Sequence, residues 1–237
     1  MILMRFENKF RYVILLASLT ILTVRISPVW GADKGKDNET LQNAATVLQA
    51  MLNDNNVPSS LLAKADCVMV LPDVKKFGFG IGGSGGRGPM SCRTGKDFRG
   101  KWSAPAMYSV GGVSIGLQVG GSSSDYVLLI MDQKGVDALL NGKTKLGSDA
   151  TAAAGPSGAT ATDASGNDIL TYGRASGLFA GVSLGGASLE PDTDANKRLY
   201  GKDVSAHDIV ISNSVTSTSA GRDFVAALNG KLSSGVN

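Results

Sequence analysis

FGFGIGGSGGRG, residues 77–88, satisfies the pattern G-x-G-x-x-G three times, starting at Gly78, Gly80 and Gly83. A dinucleotide site needs a helix directly after the glycines, because the helix N-terminus holds the pyrophosphate. The segment that follows, GPMSCRTG at 88–95, carries no helical apolar stripe, and the chain has no Walker A motif. What the stretch shows instead is a period of two: Phe77, Phe79 and Ile81 alternate with Gly78, Gly80 and Gly82. The same alternation recurs at Val113–Gly120 and at Leu178–Gly185. Glycine along one strand face marks a close approach of another backbone, a strong curve or a bulge. The glycines therefore predict a packing device in a curved sheet, and no nucleotide partner is expected.

Working outward, Cys67–Leu71 is a short apolar strand expected to stop at Pro72, and Tyr126–Met131 is a continuous apolar run expected to be buried on both faces. Ile209–Ile211 suggests one further strand. Upstream, apolar residues at 41, 44, 45, 48, 51 and 52 form a helical stripe with Thr40 as its N-cap. That stripe could pack on the core or insert into a membrane. Short helices are expected at Leu61–Lys64 and Gly135–Leu140, and a C-terminal helix at about 219–232. Residues 147–168 are small and polar, a long loop or weak helix. The pattern predicts one α+β domain over 40–237, a curved antiparallel β-sheet or barrel flanked by short helices at its N- and C-terminal ends.

The first 31 residues read differently. Arg5, Lys9 and Arg11 precede an apolar run, Tyr12–Val24, followed by Arg25 and Val29-Trp30-Gly31-Ala32. This is the layout of a secretory signal with a cut near Gly31; a retained anchor is the alternative. The run is shorter than the ~20 residues that span a bilayer. Residues 32–39 are polar and expected to be frayed. Removing 1–31 takes away four cations and one carboxylate, so the net charge of +3 belongs to the leader and the remaining chain is balanced. A balanced chain argues against nucleic acid as a partner. Its charge is uneven, however. Lys64, Lys75, Lys76, Arg87, Arg93, Lys96, Arg99 and Lys101 face only Asp66, Asp73 and Asp97 within 64–101.

No catalytic constellation emerges. G-x-S-x-G occurs at Gly82–Gly86, Gly112–Gly116 and Gly181–Gly185, but Ser114 and Ser183 sit inside alternating strands rather than at a strand-to-helix elbow. Asp192, Asp194, Asn196 and Asp203 resemble a calcium loop, yet Lys197 stands where that loop needs glycine, which favours a capped acidic turn. The only histidine is His207, and C-x-x-C is absent, so no metal and no cofactor are expected. Cys67 and Cys92, in a chain read as exported, are expected to form a disulfide.

Longer segments carry a resemblance. LLAKADCVMVLP at 61–72, the glycine strand at 77–87, WSAPA at 102–106, GLQVG at 116–120, LGSDA at 146–150, AGP at 154–156, GLFAG at 177–181 and Asn196 with Tyr200-Gly201 together resemble the SYLF domain family, over about 41–211. The resemblance implies binding rather than catalysis. Eukaryotic members are adaptors at actin patches and membranes, binding phosphoinositides and in some cases actin, and exported bacterial members share the domain. An exported member would meet neither cytosolic actin nor phosphoinositides, which leaves anionic lipid as the transferable partner. The expected function is thus a non-catalytic, lipid-binding module of the cell envelope, periplasmic or secreted. Lys75, Lys76, Arg87, Arg93, Lys96, Arg99 and Lys101 would be its head-group ligands if they share a face, and reversing Lys75, Lys76 and Arg87 should then leave the fold intact. The alternative is a structural domain, or one that binds an envelope protein.

Overall fold

The structure, a computed structural model, describes residues 30–156, 166–175, 178–180, 184 and 186–230, with backbone alone at 30–32, 78–81, 113–120 and 178–180. Residues 1–29 of the expected leader at 1–31, and Ser183, lie outside the described residues.

The described chain opens with α1 (Trp30–Asn53) and α2 (Ser59–Lys64), and then enters two very long strands, β1 (Cys67–Cys92) and β2 (Ala106–Ile130). They pair antiparallel along their whole lengths, from Cys67 opposite Ile130 to Met90 opposite Ala106. A 26-residue strand drawn out straight would reach ~85 Å. Yet the Cα atoms of Cys67 and Cys92, its two ends, are 3.9 Å apart and joined by a disulfide. The β1–β2 ribbon therefore folds back over itself, and its turning point falls in the glycine run. Gly88 shows why: a Cβ there would stand 1.8 Å from the Val70 carbonyl oxygen. At Gly86 it would stand 2.9 Å from Val74 Cγ2. The two arms of one strand meet at a distance that only glycine permits.

Pro72 does not end the first strand. It falls in a register shift between Leu71 and Val74, where Asp73 takes φ 52° and its N–H donates 3.0 Å to Asp125 Oδ1. A bulge needs no ladder donor at that point, so proline is admitted there.

Around the ribbon lie α3 (Gln133–Leu140), β3 (Thr144–Lys145), β4 (Ala152–Ala154), β5 (Ile169–Ala175), β6 (Leu178–Ala180), β7 (Ser188–Pro191), α4 (Thr193–Tyr200), α5 (Ala206–Val210) and α6 (Ser219–Leu228). Among the described residues the strands form one seven-stranded sheet in the order β3-β7-β2-β5-β4, with β1 on β2 and β6 on β5. Each pairing is antiparallel except β4 with β5. The expected α+β domain with a curved, mainly antiparallel sheet and terminal helices is what the chain forms.

The two faces of the run Tyr126–Ile130 are both covered. Tyr126, Leu128 and Ile130 join Cys67, Met69, Leu71, Met90 and Tyr108 inside the curl. Val127 and Leu129 join Val68 and Val70 beneath α1, α2 and α6, against Leu48, Met51, Leu61 and Phe224. The stripe of α1 is therefore core: Leu41, Ala44, Leu48 and Met51 have no exposed surface. Membrane insertion of that stripe does not fit this packing.

Three local expectations are corrected. α1 begins at Trp30, so residues 32–39 are helical and Thr40 is not a cap; its hydroxyl donates 2.9 Å to the Lys36 carbonyl one turn back. Ile209–Ile211 is not a strand. Ile209 and Val210 belong to α5, started by a capping box in which Ser205 and Asp208 bond reciprocally, and both residues are fully buried. Three apolar residues in a row are too few for periodicity to tell strand from helix. Finally, the small-residue segment at 147–168 contains β4, which lies beside β5 from Ala152 to Ala154.

Candidate anion-binding loop

Beyond Cys92, Arg93 and Trp102 form a bridge that closes the loop 93–101. Backbone bonds make the loop stiff: Arg93 N–H to Asp66 O at 2.8 Å, Thr94 N–H to Lys101 O at 2.8 Å, and Gly100 N–H to Thr94 O at 2.7 Å. Gly95 supplies φ 80°, and at Gly100 a Cβ would strike the Thr94 carbonyl at 2.3 Å. Phe98 rests on the inner core, and the Cys67–Cys92 bridge stands at the loop's base. The Arg93 guanidinium stacks 4.3 Å from the Trp102 ring centroid, while its Nε is buried with no hydrogen-bond partner.

On this frame Lys96, Arg99 and Lys101 are exposed, and none forms an ion pair among the described residues. With Arg93 they set four cations against the single carboxylate Asp97 in nine residues. A cleft of about 210 Å³ opens beside the loop, bounded by α3 and α5 and lined in part by Arg93, Asp97, Gln133, Asp137 and His207. Beneath the loop, burial and then the nearby Asp132 carboxylate push the Asp66 carboxyl up to about 6.

The structure does not bring the seven sequence-predicted cations together. Lys75 and Lys76 lie near the fold-back, toward the opposite end of the ribbon from the loop. Lys75 Nζ is 3.4 Å from Asp73, and Lys76 Nζ sits 5.6 Å above the Tyr126 ring. Arg87 is committed elsewhere. Its Nη2 reaches Asp37 at 2.6 Å and its Nε reaches Asp192 at 2.7 Å. Asp37 itself is fully buried and is also held by Arg198 Nε at 2.7 Å. The hydrogen bonds that Arg198 donates to Asp37 hold the Arg198 proton more firmly than usual. The network joins α1, β1 and α4, so reversing Arg87 would strike the fold, contrary to the expectation from sequence.

The acidic run after β7 belongs to this framework. Asp192 caps α4 by accepting from Ala195 N–H at 2.9 Å. Asn196, fully buried, accepts from Met107 N–H at 2.7 Å and donates to Met107 O at 3.3 Å. Asp203 pairs with Lys197 at 2.8 Å. Three of the four residues of the calcium pattern thus serve as cap, backbone clamp and surface pair; among the described residues no group of three or more acidic, histidine or cysteine side chains is disposed to hold a metal. Sequence reasoning missed Asp37 and Arg198, because neither stands in a motif and their partners are 50 and 161 positions away.

The class this fold and loop define is a curled-sheet domain with helices packed on both faces of the sheet and a stiff basic loop at the closed end of its ribbon. Comparison with known proteins places it. A family profile described as "Ysc84: Las17-binding protein actin regulator" matches residues 111–231. The chain is 33% identical over 165 residues to SH3 domain-containing YSC84-like protein 1 of Homo sapiens, covering 68% of this chain and 47% of that protein. It is 32% identical over 183 residues to SH3 domain-containing protein PJ696.02 of Schizosaccharomyces pombe, covering 74% and 41%. Protein YSC84 of Saccharomyces cerevisiae is 30% identical over 174 residues, covering 68% and 36%. The chain belongs to the Ysc84, or SYLF, family. It spans about half or less of the length of these relatives.

Proposed function

We propose that this domain is a non-catalytic binding module of the cell envelope that docks on anionic lipid head groups through the loop 93–101. One observation carries the reading: Lys96, Arg99 and Lys101 are exposed and, among the described residues, form no ion pair, on a loop whose backbone is already ordered. Ordering such a loop at a membrane has little entropic cost, because folding has met it already. Each cation near an anionic surface contributes about 1 kcal/mol, so three together give roughly a hundredfold in partitioning, sensitive to salt. Sedimentation with phosphatidylglycerol vesicles tests this. The triple variant Lys96→Glu, Arg99→Glu, Lys101→Glu should lose binding, while Lys75→Glu with Lys76→Glu should retain most of it. Unchanged binding in the triple variant would overturn the reading.

A second reading rests on the family description, which names Las17 binding. The same loop would then meet an acidic protein segment, and neutral and anionic vesicles would sediment equal, negligible amounts of the domain.

A further inference from the structure

The cleft beside the loop has a charge pattern unlike the loop itself. Its walls carry the Arg93 guanidinium and two exposed carboxylates, Asp97 and Asp137, with Gln133 and His207 adding further polar groups. Gln133 Nε2 donates 2.7 Å to Asp137 Oδ1 and so fixes that carboxylate at the wall. Arg93 brings an unsatisfied buried donor in its Nε. Lys96 is not itself a lining residue, but it is exposed and stands in the chain between two that are, Gly95 and Asp97. A bare anion entering this space meets two carboxylates, and a bare cation meets the loop's positive charge. Like charges at close range disfavour both. A ligand carrying both signs satisfies both walls. At about 210 Å³ the cleft has room for roughly seven waters, the scale of a small phosphorylated amine.

We propose that the cleft binds a phosphate linked to a primary amine, as in phosphoethanolamine, free or as a lipid head group. The ammonium lies against Asp97 and Asp137, and the phosphate against Arg93 and Lys96. The proposal rests on reading the loop as a phosphate-binding element, and it adds selectivity for a zwitterion.

Titration calorimetry on the wild-type chain tests it with phosphoethanolamine, inorganic phosphate and ethanolamine as separate probes. Phosphoethanolamine should bind at least tenfold more tightly than either half. Asp137→Asn should lose about tenfold for phosphoethanolamine, the scale of one charge-assisted hydrogen bond, with phosphate unchanged or tighter. Asp137 is exposed on α3, and an unchanged circular-dichroism spectrum establishes that the variant folds. Equal affinity for phosphoethanolamine and phosphate, equal weakening of both by Asp137→Asn, or no binding of phosphoethanolamine would overturn it. Vesicles of constant anionic charge containing phosphatidylethanolamine or phosphatidylcholine then separate the two sources: a preference for the former assigns the lipid, and no preference assigns the free compound. Binding to phosphatidylglycerol vesicles that survives while phosphoethanolamine fails to bind would sink this inference alone. Loss of both would sink the docking reading beneath it.

Discussion

Cys67 and Cys92 stand at opposite ends of one continuous strand, yet their Cα atoms are 3.9 Å apart and their sulfurs are bonded. The bridge therefore clamps the fold-back of β1 rather than linking separate elements. Both residues are fully buried in the inner core. Replacing both by serine should lower stability by about 3 kcal/mol on loop-closure grounds, with the buried hydroxyls adding to the loss. Urea unfolding with and without reductant checks this: reductant should shift the wild-type midpoint once the bridge becomes accessible, and should leave the double variant where it was.

The glycines of the opening stretch should not be equivalent. Gly88→Ala places a methyl 1.8 Å from the Val70 carbonyl oxygen, which no rotamer change relieves, so the arms must separate. A loss above ~4 kcal/mol, or failure to fold, is expected from such a backbone clash. At Gly85 the nearest atom, Val110 O, is 4.0 Å away, and alanine should change stability by less than about 1 kcal/mol. Thermal melts of the two variants side by side decide it. Equal effects would mean that close approach is not why glycine occupies position 88.

Asp37 should matter more than its place in a polar helical stretch suggests. Its carboxylate is fully buried between Arg87 and Arg198. Asp37→Ala leaves two guanidinium groups facing each other with one fewer counter-charge, and breaking a buried pair in this way costs about 3–5 kcal/mol. Hydrogen exchange should localise the effect: amides of α1 upstream of Leu41 should lose protection first, because this network is what ties that part of the helix to β1 and α4. Uniform loss of protection across the domain would contradict that role.

What the sequence made legible follows from how local each signal is. The alternation at Phe77–Gly82, the apolar run Tyr126–Met131 and the cysteine pair can each be recognised within a short window, and the sheet, the strand buried from Tyr126 to Ile130 and the disulfide are present. The fold-back of β1 could not be read, because Gly88 meets Val70 across a turn that no local pattern encodes. Pro72 misled for a related reason: the bulge that admits it depends on Asp125, 52 residues beyond Asp73. The same holds for the cations. Arg87 and Lys96 look alike in sequence, but one is consumed by Asp37 and Asp192 and the other forms no ion pair among the described residues. Charge counts within a segment say nothing about which charges the fold neutralises.

The last prediction concerns pH. Burial, and secondarily the Asp132 carboxylate, raise the Asp66 carboxyl to about 6 from its ordinary 3.8. The folded state thus binds a proton more readily than the unfolded chain between about pH 4 and 6. Stability tracks the difference in protons bound between unfolded and folded states, so in this window it falls as pH rises. The contribution of Asp66 is therefore favourable at acid pH, and is lost as pH climbs through 6, where the charged carboxylate is left partly desolvated beside Asp132. Asp66→Asn keeps the shape and removes the charge, so the variant should be more stable than wild type at pH 7 and match it near pH 4. Partial exposure of the group tempers the size of the gain, which is why the divergence of the two pH profiles between pH 4 and 7 is the decisive feature. Denaturant midpoints for both proteins at pH 4, 5, 6 and 7 provide the test; parallel profiles across that range would show that Asp66 does not titrate where its surroundings place it.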